Sequence, residues 1–300
     1  MNNELLTQIL NICEVEQNVN LKDKTTFKIG GQVQVFAKPS TRQQLIKLLK
    51  FCTLNNIKYV ILGAGSNVLC DDKNLNFIVI STLNLKQIFI NEKGFVYAQT
   101  GVKLSQLATI CANSSLSGLE WAVGIPGSVG GAVVMNAGAF GGEISNVVSY
   151  VDVWNGEKIT RLKKEQLFFD YRHSVFTNSK KYVILGIGFL LKTDMLNEIS
   201  KRIKFNIEKR RQTQNVGFPN AGSIFKKTTD LAPAFMIENA GLKGLKVGGA
   251  EVSKIHSGFI VNTSMATFDD VISLINKVQT SVYNKYNVTL QLEIILLKGD

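Results

Sequence analysis

The sequence lacks the features that would place the chain in a membrane or send it out of the cell. No apolar run approaches the ~20 residues of a membrane-spanning helix. The N-terminal stretch, MNNELLTQILNICEVEQ, has no basic region followed by an apolar one, so it does not resemble a secretory signal. We therefore expect a cytoplasmic protein with no membrane partner.

Cysteine is scarce and scattered. The four cysteines stand at positions 13, 52, 70 and 111, and no two of them have the spacing of a zinc or redox motif. Thiols of this kind are typical of small buried side chains in a reducing compartment. We expect neither disulfides nor a metal site.

Acidic residues are outnumbered, and the formal net charge is +11. An excess of basic residues is typical of proteins that bind either nucleic acid or smaller polyanions. The one dense basic run is at residues 209–211, and no aromatic residues alternate with it. We therefore expect no nucleic-acid partner, a mostly solvated excess of charge, and a minority of cations that serve an anionic ligand.

Glycine, by contrast, is concentrated in residues 119–144, which read LEWAVGIPGSVGGAVVMNAGAFGGEI. A single glycine here favours a tight turn between short strands. Such density twice in succession instead favours a backbone that approaches a flat or anionic ligand, because glycine has no Cβ and successive N–H groups form a nest for phosphate oxygens. The segment predicts a phosphate-binding site.

The remaining pattern indicates an α+β fold. Ser40 and Gln43 have the spacing of a capping box. Leu45, Leu48, Leu49 and Cys52 then recur at the spacing of one apolar helix face, which predicts a helix. The strand 59–62 enters GAGSNVL, but another strand follows instead of the helix that a Rossmann loop must open. Strands and helices then follow without regular alternation, which favours α+β.

The C-terminal third predicts a boundary at 193–199, a basic helix at 200–212 and the loop AGSIFKK. It also predicts a helix at 268–286, capped by Thr267 with Asp270, and a terminal strand at 289–297.

Five segments together resemble motifs of one family. They are TTFKIGG (residues 25–31), GAGSNVL (63–69), IPGSVGGAVVMNAGAFGGEI (125–144), YRHSVF (171–176) and AGSIFK (221–226). In this order they resemble the UDP-N-acetylenolpyruvoylglucosamine reductases, flavoenzymes of peptidoglycan precursor synthesis. The resemblance implies an FAD-binding unit of the vanillyl-alcohol-oxidase (PCMH) type over residues 1–195, with two subdomains split near residue 80. A smaller α+β substrate-binding domain would cover residues 196–300.

The resemblance also implies which residues line FAD: Gly63, Gly65, Ser66, Asn67, Pro126, Gly127, Ser128, Gly130, Gly131, Asn136 and Gly138. Some oxidases of this fold attach flavin through His or Cys. The only two histidines here, His173 and His256, lie outside both glycine-rich loops, and Cys70 and Cys111 merely flank them. We therefore expect FAD to be bound non-covalently.

Three residues match the catalytic positions of the family. Arg172 would stabilise charge on the substrate carboxylate, Ser223 would donate a proton to the adjacent carbon, and Glu293 matches the active-site glutamate. By residue type alone, Arg172 favours a surface arginine and Ser223 favours a turn serine. For Glu293, a solvent-facing strand glutamate and the catalytic assignment are equally favoured. The predicted substrate-binding residues are Tyr171, Arg211, Lys226 and Lys227.

The chain departs from the family pattern at Lys227, where an asparagine is usual, and at Ile295, where an arginine is usual. The resemblance implies NADPH-driven, FAD-dependent reduction of UDP-N-acetylglucosamine enolpyruvate to UDP-N-acetylmuramate. Alternatives are an FAD oxidase of a small alcohol or lactone, or a nucleotide-binding module without turnover. Since there is one dinucleotide-binding system, we expect NADPH and the UDP-sugar to use one pocket in turn, in a monomer.

Overall fold

The computed structural model describes residues 3–73, 75–91, 93–177, 179, 181–214, 216–228 and 231–299. The chain forms two compact units whose segments alternate along the sequence. The first contains Met1–Glu16, Val35–Ala64 and Ile78–Arg210, and the second contains Gln17–Gln34, Gly65–Phe77 and Arg211–Asp300. The predicted division at residue 195 concerns functional domains and stays a prediction. The compact units differ from it because two N-terminal segments belong to the second unit.

Seven α-helices lie within the described residues: α1 (Asn3–Leu10), α2 (Arg42–Leu54), α3 (Leu104–Asn113), α4 (Val129–Val134), α5 (Leu196–Gln214), α6 (Pro233–Asn239) and α7 (Phe268–Tyr286). The predicted capping box of α2 is wrong by one residue. Thr41 is the N-cap, and its side chain accepts a hydrogen bond from the N–H of Gln44. The capping box of α7 is confirmed, since Thr267 and Asp270 bond reciprocally.

The strands of the described residues are mostly short: β1 (Glu14–Asn20), β2 (Gln32–Lys38), β3 (Tyr59–Leu62), β4 (Val68–Cys70), β5 (Ile78–Ser81), β6 (Ile88–Ile90), β7 (Phe95–Gln99), β8 (Leu116–Ser117), β9 (Gly138–Ala139), β10 (Gly142–Glu143), β11 (Val148–Trp154), β12 (Ile159–Lys163), β13 (Val183–Leu190), β14 (Lys192–Thr193), β15 (Asn220–Ser223), β16 (Lys246–Val247), β17 (Ala250–Val252), β18 (Phe259–Asn262) and β19 (Ile295–Leu297).

The first unit contains the whole of one sheet and part of a second. One has the order β12-β11-β13-β7-β6 with antiparallel pairing at every step, and its core includes residues of α3 and α4. The other has the order β1-β2-β5-β3, in which β5 runs parallel to β2 and to β3. The predicted apolar face of α2 is confirmed, because it lies in the core beside this sheet: Leu45, Leu48, Leu49 and Cys52.

The second unit has an antiparallel sheet, β15-β18-β17-β16, whose core includes α6 and α7. Phe27, Ile29 and Leu69 are buried in this same core, so the motif TTFKIGG and the end of GAGSNVL contribute to it. A parallel pair joins β4 to β19, with Val68 opposite Ile295. The predicted terminal strand at 289–297 is wrong in its first half, because only Ile295–Leu297 follows a ladder.

The predicted burial of the cysteines is confirmed, because all four thiols are buried and free. Burial raises the pKa of Cys52, Cys70 and Cys111 to about 12, so these thiols are protonated at neutral pH. Within the described part of the chain, no helix is both long enough and apolar enough to span a membrane.

Candidate functional site

The glycine-rich segment 119–144 forms a short turn of helix, α4 and the β9–β10 hairpin of the first unit. Ser128 caps α4, accepting a hydrogen bond from the N–H of Gly131 at 3.2 Å. The N–H groups of Val129 and Gly130 donate to the carbonyls of Val102 and Thr100 at 2.8 and 2.9 Å. Main-chain bonds to the loop before α3 therefore fix the start of this segment.

The two glycine-rich loops meet at Gly63. A Cβ on Gly63 would lie 2.3 Å from the Ser128 Oγ, and a Cβ on Gly130 would lie 1.9 Å from the Thr100 Oγ1. Both positions therefore need glycine for close approach of the backbone. Pro126 and Gly131 are exposed nearby. The result is a backbone surface with few side chains, which fits a flat ligand that carries phosphates.

Helix α5 brings cations to the same segment. The Arg210 guanidinium carbon lies 5.3 Å from the centroid of the Phe140 ring, and the Lys209 Nζ lies 5.6 Å from it. A Cβ on Gly124 would lie 3.3 Å from the Arg210 Cδ. Burial lowers the pKa of Arg210. Sequence reasoning missed Arg210 and selected Arg211, which is exposed and belongs to the second unit.

Arg202 anchors α5 at a second point. Its guanidinium donates to the Glu120 carboxylate at 2.8 Å, and Glu120 also accepts from the N–H of Gly118 at 2.7 Å. Although burial raises the pKa of Glu120, its hydrogen bonds with the backbone, Arg202 and Ser117 outweigh burial, and the net pKa is lowered. Glu120 is thus an ionised anchor for the helix that carries Arg210.

Arg172 lies in a tight turn, residues 170–173, which we call the arginine turn. Asp170 and His173 exchange main-chain hydrogen bonds of 3.1 Å in both directions. The Arg172 Nη1 donates to the carbonyl of Asn136 at 3.3 Å, and its Nη2 donates to that of Gly138 at 2.8 Å. Arginine has five N–H donors in a planar fork, so these two bonds set the plane of the guanidinium.

The side chain of Asn136 faces the arginine turn. Its Nδ2 donates to the carbonyl of Asp170 at 3.0 Å, and its Oδ1 accepts from the N–H of Ser145 at 2.9 Å. Asn136 was predicted to line FAD, and that assignment stays a prediction. Both ends of the amide contact protein groups.

In the second unit, Ser223 ends β15, and a segment that we call the glutamate segment, residues 290–294, runs beside it. The N–H of Glu293 donates to the carbonyl of Ile224 at 2.8 Å, and the N–H of Lys226 donates to that of Gln291 at 2.8 Å. The Asn67 Nδ2 donates to the carbonyl of Glu293 at 3.1 Å. The structure therefore brings three predicted residues together, namely Ser223, Glu293 and Asn67.

Burial in the glutamate segment alternates as the sequence predicts. Leu290 and Ile294 are buried, Glu293 is half-buried and Gln291 is exposed. Leu292 forms an isolated bridge with Phe225. The segment therefore has the alternation of a strand without a continuous ladder, and this explains why the predicted strand is shorter in the structure.

The other predicted residues lie in different surroundings. Tyr171 and Lys227 are exposed, and Lys226 is half-buried. Gly65, Ser66 and Asn67 belong to the second unit, whereas Gly63 and all FAD-lining candidates from Pro126 to Gly138 belong to the first. Of the catalytic candidates, Arg172 belongs to the first unit, and Ser223 and Glu293 belong to the second.

Comparison with known proteins gives a consistent result. A family model described as "UDP-N-acetylenolpyruvoylglucosamine reductase, C-terminal domain" matches residues 213–297, and one described as "FAD binding domain" matches residues 33–159. The chain is 41% identical to the UDP-N-acetylenolpyruvoylglucosamine reductase of Clostridium novyi (strain NT), over 97% of this chain and 95% of that protein. It is 43% identical to the enzyme of that name from Petrotoga mobilis, over 94% of each.

Solved structures agree. The crystal structure of the reductase from Thermus caldophilus superposes with a TM-score of 0.82 at 32% identity, covering 95% of this chain and 99% of that one. An alkyldihydroxyacetonephosphate synthase shares the fold alone, with a TM-score of 0.52 at 11% identity over 64% of this chain and 41% of that one. The predicted α+β class, with an FAD-binding unit of the vanillyl-alcohol-oxidase type, is confirmed.

Proposed function

The chain belongs to the family of UDP-N-acetylenolpyruvoylglucosamine reductases, and we propose from that premise how its own residues carry out the reaction. It is an FAD-dependent oxidoreductase that uses NADPH to reduce UDP-N-acetylglucosamine enolpyruvate to UDP-N-acetylmuramate. The observation that carries the assignment is the agreement of the family match with the main-chain bond from Glu293 to Ile224, the residue that follows Ser223. The work of the protein is to bind, orient and protonate.

FAD fits the first unit at the backbone surface where Gly63 adjoins Ser128. Gly63, Pro126, Gly127, Ser128, Gly130, Gly131 and Gly138 would line it there, by the close approach that glycine allows. The resemblance also assigns Gly65, Ser66 and Asn67, of the motif GAGSNVL, to FAD binding. The chemistry that FAD supplies when bound is hydride transfer. The Arg210 guanidinium, beside Gly124, adds positive charge that suits a phosphate-bearing ligand.

Arg172 stabilises the negative charge that develops on the substrate carboxylate as hydride adds to the enolpyruvyl double bond. Its guanidinium is held in one plane by the carbonyls of Asn136 and Gly138. A cation oriented before the reaction stabilises developing charge without reorganising during it. The Arg172 guanidinium must therefore keep its position more strictly than the guanidinium of a surface arginine would.

Ser223 donates a proton to the carbon next to the carboxylate. A serine hydroxyl is a weak acid, so its position must compensate for its pKa. The end of β15 places Ser223 directly before Ile224, whose carbonyl accepts the N–H of Glu293. Glu293 would lie close to the reacting carbon by the same main-chain pairing.

Substrate contacts follow the predicted set, with one addition. Tyr171, Arg211, Lys226 and Lys227 would contact the UDP-sugar, and Arg210 would join them or serve the flavin. NADPH and the UDP-sugar would occupy one pocket in turn. Steady-state rates should then give parallel double-reciprocal lines, and intersecting lines with a detectable ternary complex would reject the shared pocket. We also propose a cytoplasmic monomer that binds no nucleic acid.

The decisive experiment is a visible spectrum of the purified protein followed by anaerobic additions. The expected result is a non-covalent flavin spectrum that NADPH bleaches and that the enolpyruvyl UDP-sugar restores. Bleaching by an alcohol or a sugar without NADPH, followed by restoration with oxygen, would indicate an oxidase. Flavin binding without any bleaching would indicate a binding module. A colourless protein that FAD cannot reconstitute would overturn the proposal.

A further inference from the structure

The arginine turn has an unusual backbone. Arg172 has φ of 50° and Asn136 has φ of 40°, both in the left-handed region. Non-glycine residues are uncommon there, and asparagine is tolerated better than arginine. Such conformations persist only where the surroundings enforce them, and they cluster at functional sites. The left-handed conformation at Arg172 therefore calls for neighbours that enforce it.

Two of the groups that hold the arginine turn belong to Asn136. The amide of Asn136 bonds to the carbonyl of Asp170, two residues before Arg172, at 3.0 Å. The carbonyl of Asn136 accepts from the Arg172 guanidinium at 3.3 Å. Asn136 thus contacts both the backbone that precedes Arg172 and the end of its side chain. Asn136 is 1% exposed, and the Ser145 N–H fixes its side chain from the opposite side.

Only asparagine satisfies these contacts with so short a side chain. Aspartate keeps the acceptor for Ser145 and loses the donor for Asp170, whereas alanine loses both. Asparagine also adopts the left-handed backbone more readily than most residues. The choice of residue is therefore set by two hydrogen bonds and one dihedral angle.

We propose that Asn136 is the positioning residue that holds the Arg172 guanidinium in place for the substrate carboxylate. The inference rests on the proposed role of Arg172 and extends it, because Asn136 acts through Arg172 and needs no contact with the substrate. It differs from the predicted role of Asn136 in lining FAD, which would affect flavin binding and the NADPH step.

The test compares Asn136→Ala and Asn136→Asp with the wild-type enzyme in stopped-flow measurements of both half-reactions. We expect reoxidation by the enolpyruvyl substrate to slow by about 10- to 100-fold, since a misplacement of about 1 Å can cost 10²-fold. Flavin content and bleaching by NADPH should stay within about threefold of wild type, because the substrate carboxylate that Arg172 is proposed to stabilise takes no part in that step. Asn155→Asp is the matched control, because its amide bridges Thr160 and the Glu157 N–H in the β11–β12 hairpin.

A double-mutant cycle separates positioning from a general structural role. In an Arg172→Ala background, Asn136→Ala should slow reoxidation no further, since its route of action is gone. Additive slowing, or loss of flavin together with slowing of the NADPH step, would overturn the inference. If Arg172→Ala alone leaves reoxidation unchanged, the proposed role of Arg172 fails, and this inference fails with it.

A crystal structure of Asn136→Asp gives a readout that does not depend on activity. The expected result is that the guanidinium of Arg172 leaves the carbonyl of Gly138 while the rest of the unit is unchanged. An Arg172 that keeps its left-handed backbone and both carbonyl contacts in this variant would contradict the inference, whatever the kinetics show.

Discussion

The arginine turn and the glutamate segment depend on side-chain hydrogen bonds to different degrees. Main-chain bonds between Asp170 and His173 close the arginine turn. Side chains join it to residues 136–138, through Asn136 to Asp170 and through the guanidinium of Arg172 to two carbonyls. Main-chain groups fix most of the glutamate segment, because Glu293 pairs with Ile224 and Lys226 pairs with Gln291. Two side chains add bonds there, from Asn67 to the carbonyl of Glu293 and from Gln279 to that of Leu290.

The difference has a physical consequence. A main-chain bond survives replacement of the side chain, so the glutamate segment should keep its position in most variants. A side-chain bond is lost with its side chain, and a buried partner left without it costs about 1–3 kcal/mol. The position of the arginine turn should therefore be more sensitive to side-chain replacement than that of the glutamate segment, and variants can test this.

The largest expected effect is at Ser223. Replacement by alanine removes the proton donor and leaves the main-chain pairing of Ile224 with Glu293 unchanged. Reoxidation by the enolpyruvyl substrate should slow by about 10²–10⁴-fold, the usual worth of a general acid. Bleaching by NADPH should stay near normal in the same stopped-flow experiment. Equal slowing of both halves would mean that Ser223 shapes the pocket and does not donate the proton.

A matched pair of hydroxyl deletions sharpens the comparison. The Ser174 Oγ donates to the carbonyl of Val134 at 2.7 Å beside the arginine turn, and the Thr26 Oγ1 donates to the carbonyl of Asn220 at 2.7 Å beside β15. Each loss should lower the free energy of unfolding by about 1 kcal/mol, as denaturant titration would measure.

Their kinetic effects should differ. Ser174→Ala should slow reoxidation by about tenfold, which corresponds to 1.4 kcal/mol, because the arginine turn depends on side chains. Thr26→Val should change the rate less, because the main-chain bond from Thr26 to Gly65 remains. A greater loss in Thr26→Val would reverse the comparison.

The smallest expected effect is at Cys70, which reports on the β4–β19 pair next to the glutamate segment. Its thiol is buried and burial raises its pKa to about 12. Alkylation should therefore be slow at pH 8 and should rise about tenfold per pH unit toward that pKa, because the thiolate is the nucleophile. Mass spectrometry should find the same rate in Thr26→Val. Faster labelling in that variant would show that the pair depends on side chains after all.

The identity of the catalytic candidates could be predicted from the sequence, but their supports could not. Ser223 was identified in the motif AGSIFK and Glu293 by its match to a family position, and the structure places their segments side by side. Arg210 was not among the predicted residues, because adjacent arginines on a helix look alike until a packing partner such as Phe140 distinguishes one. Arg211 as a substrate contact and Asn136 as a residue that lines FAD stay predictions, and the hydrogen bonds of the Asn136 amide could not be predicted from a motif.

The sequence alone determined the α+β class, the buried cysteines and the main helices, because these follow from local patterning and residue type, and its motifs indicated the family by resemblance. Tertiary structure alone decided that TTFKIGG and the end of GAGSNVL contribute to the core of the second unit, where Phe27 and Leu69 are buried. It also decided that the carbonyls of Asn136 and Gly138 meet the side chain of Arg172 more than thirty residues later in the chain. These outcomes depend on which distant backbone groups pair, and a local pattern carries no record of that choice.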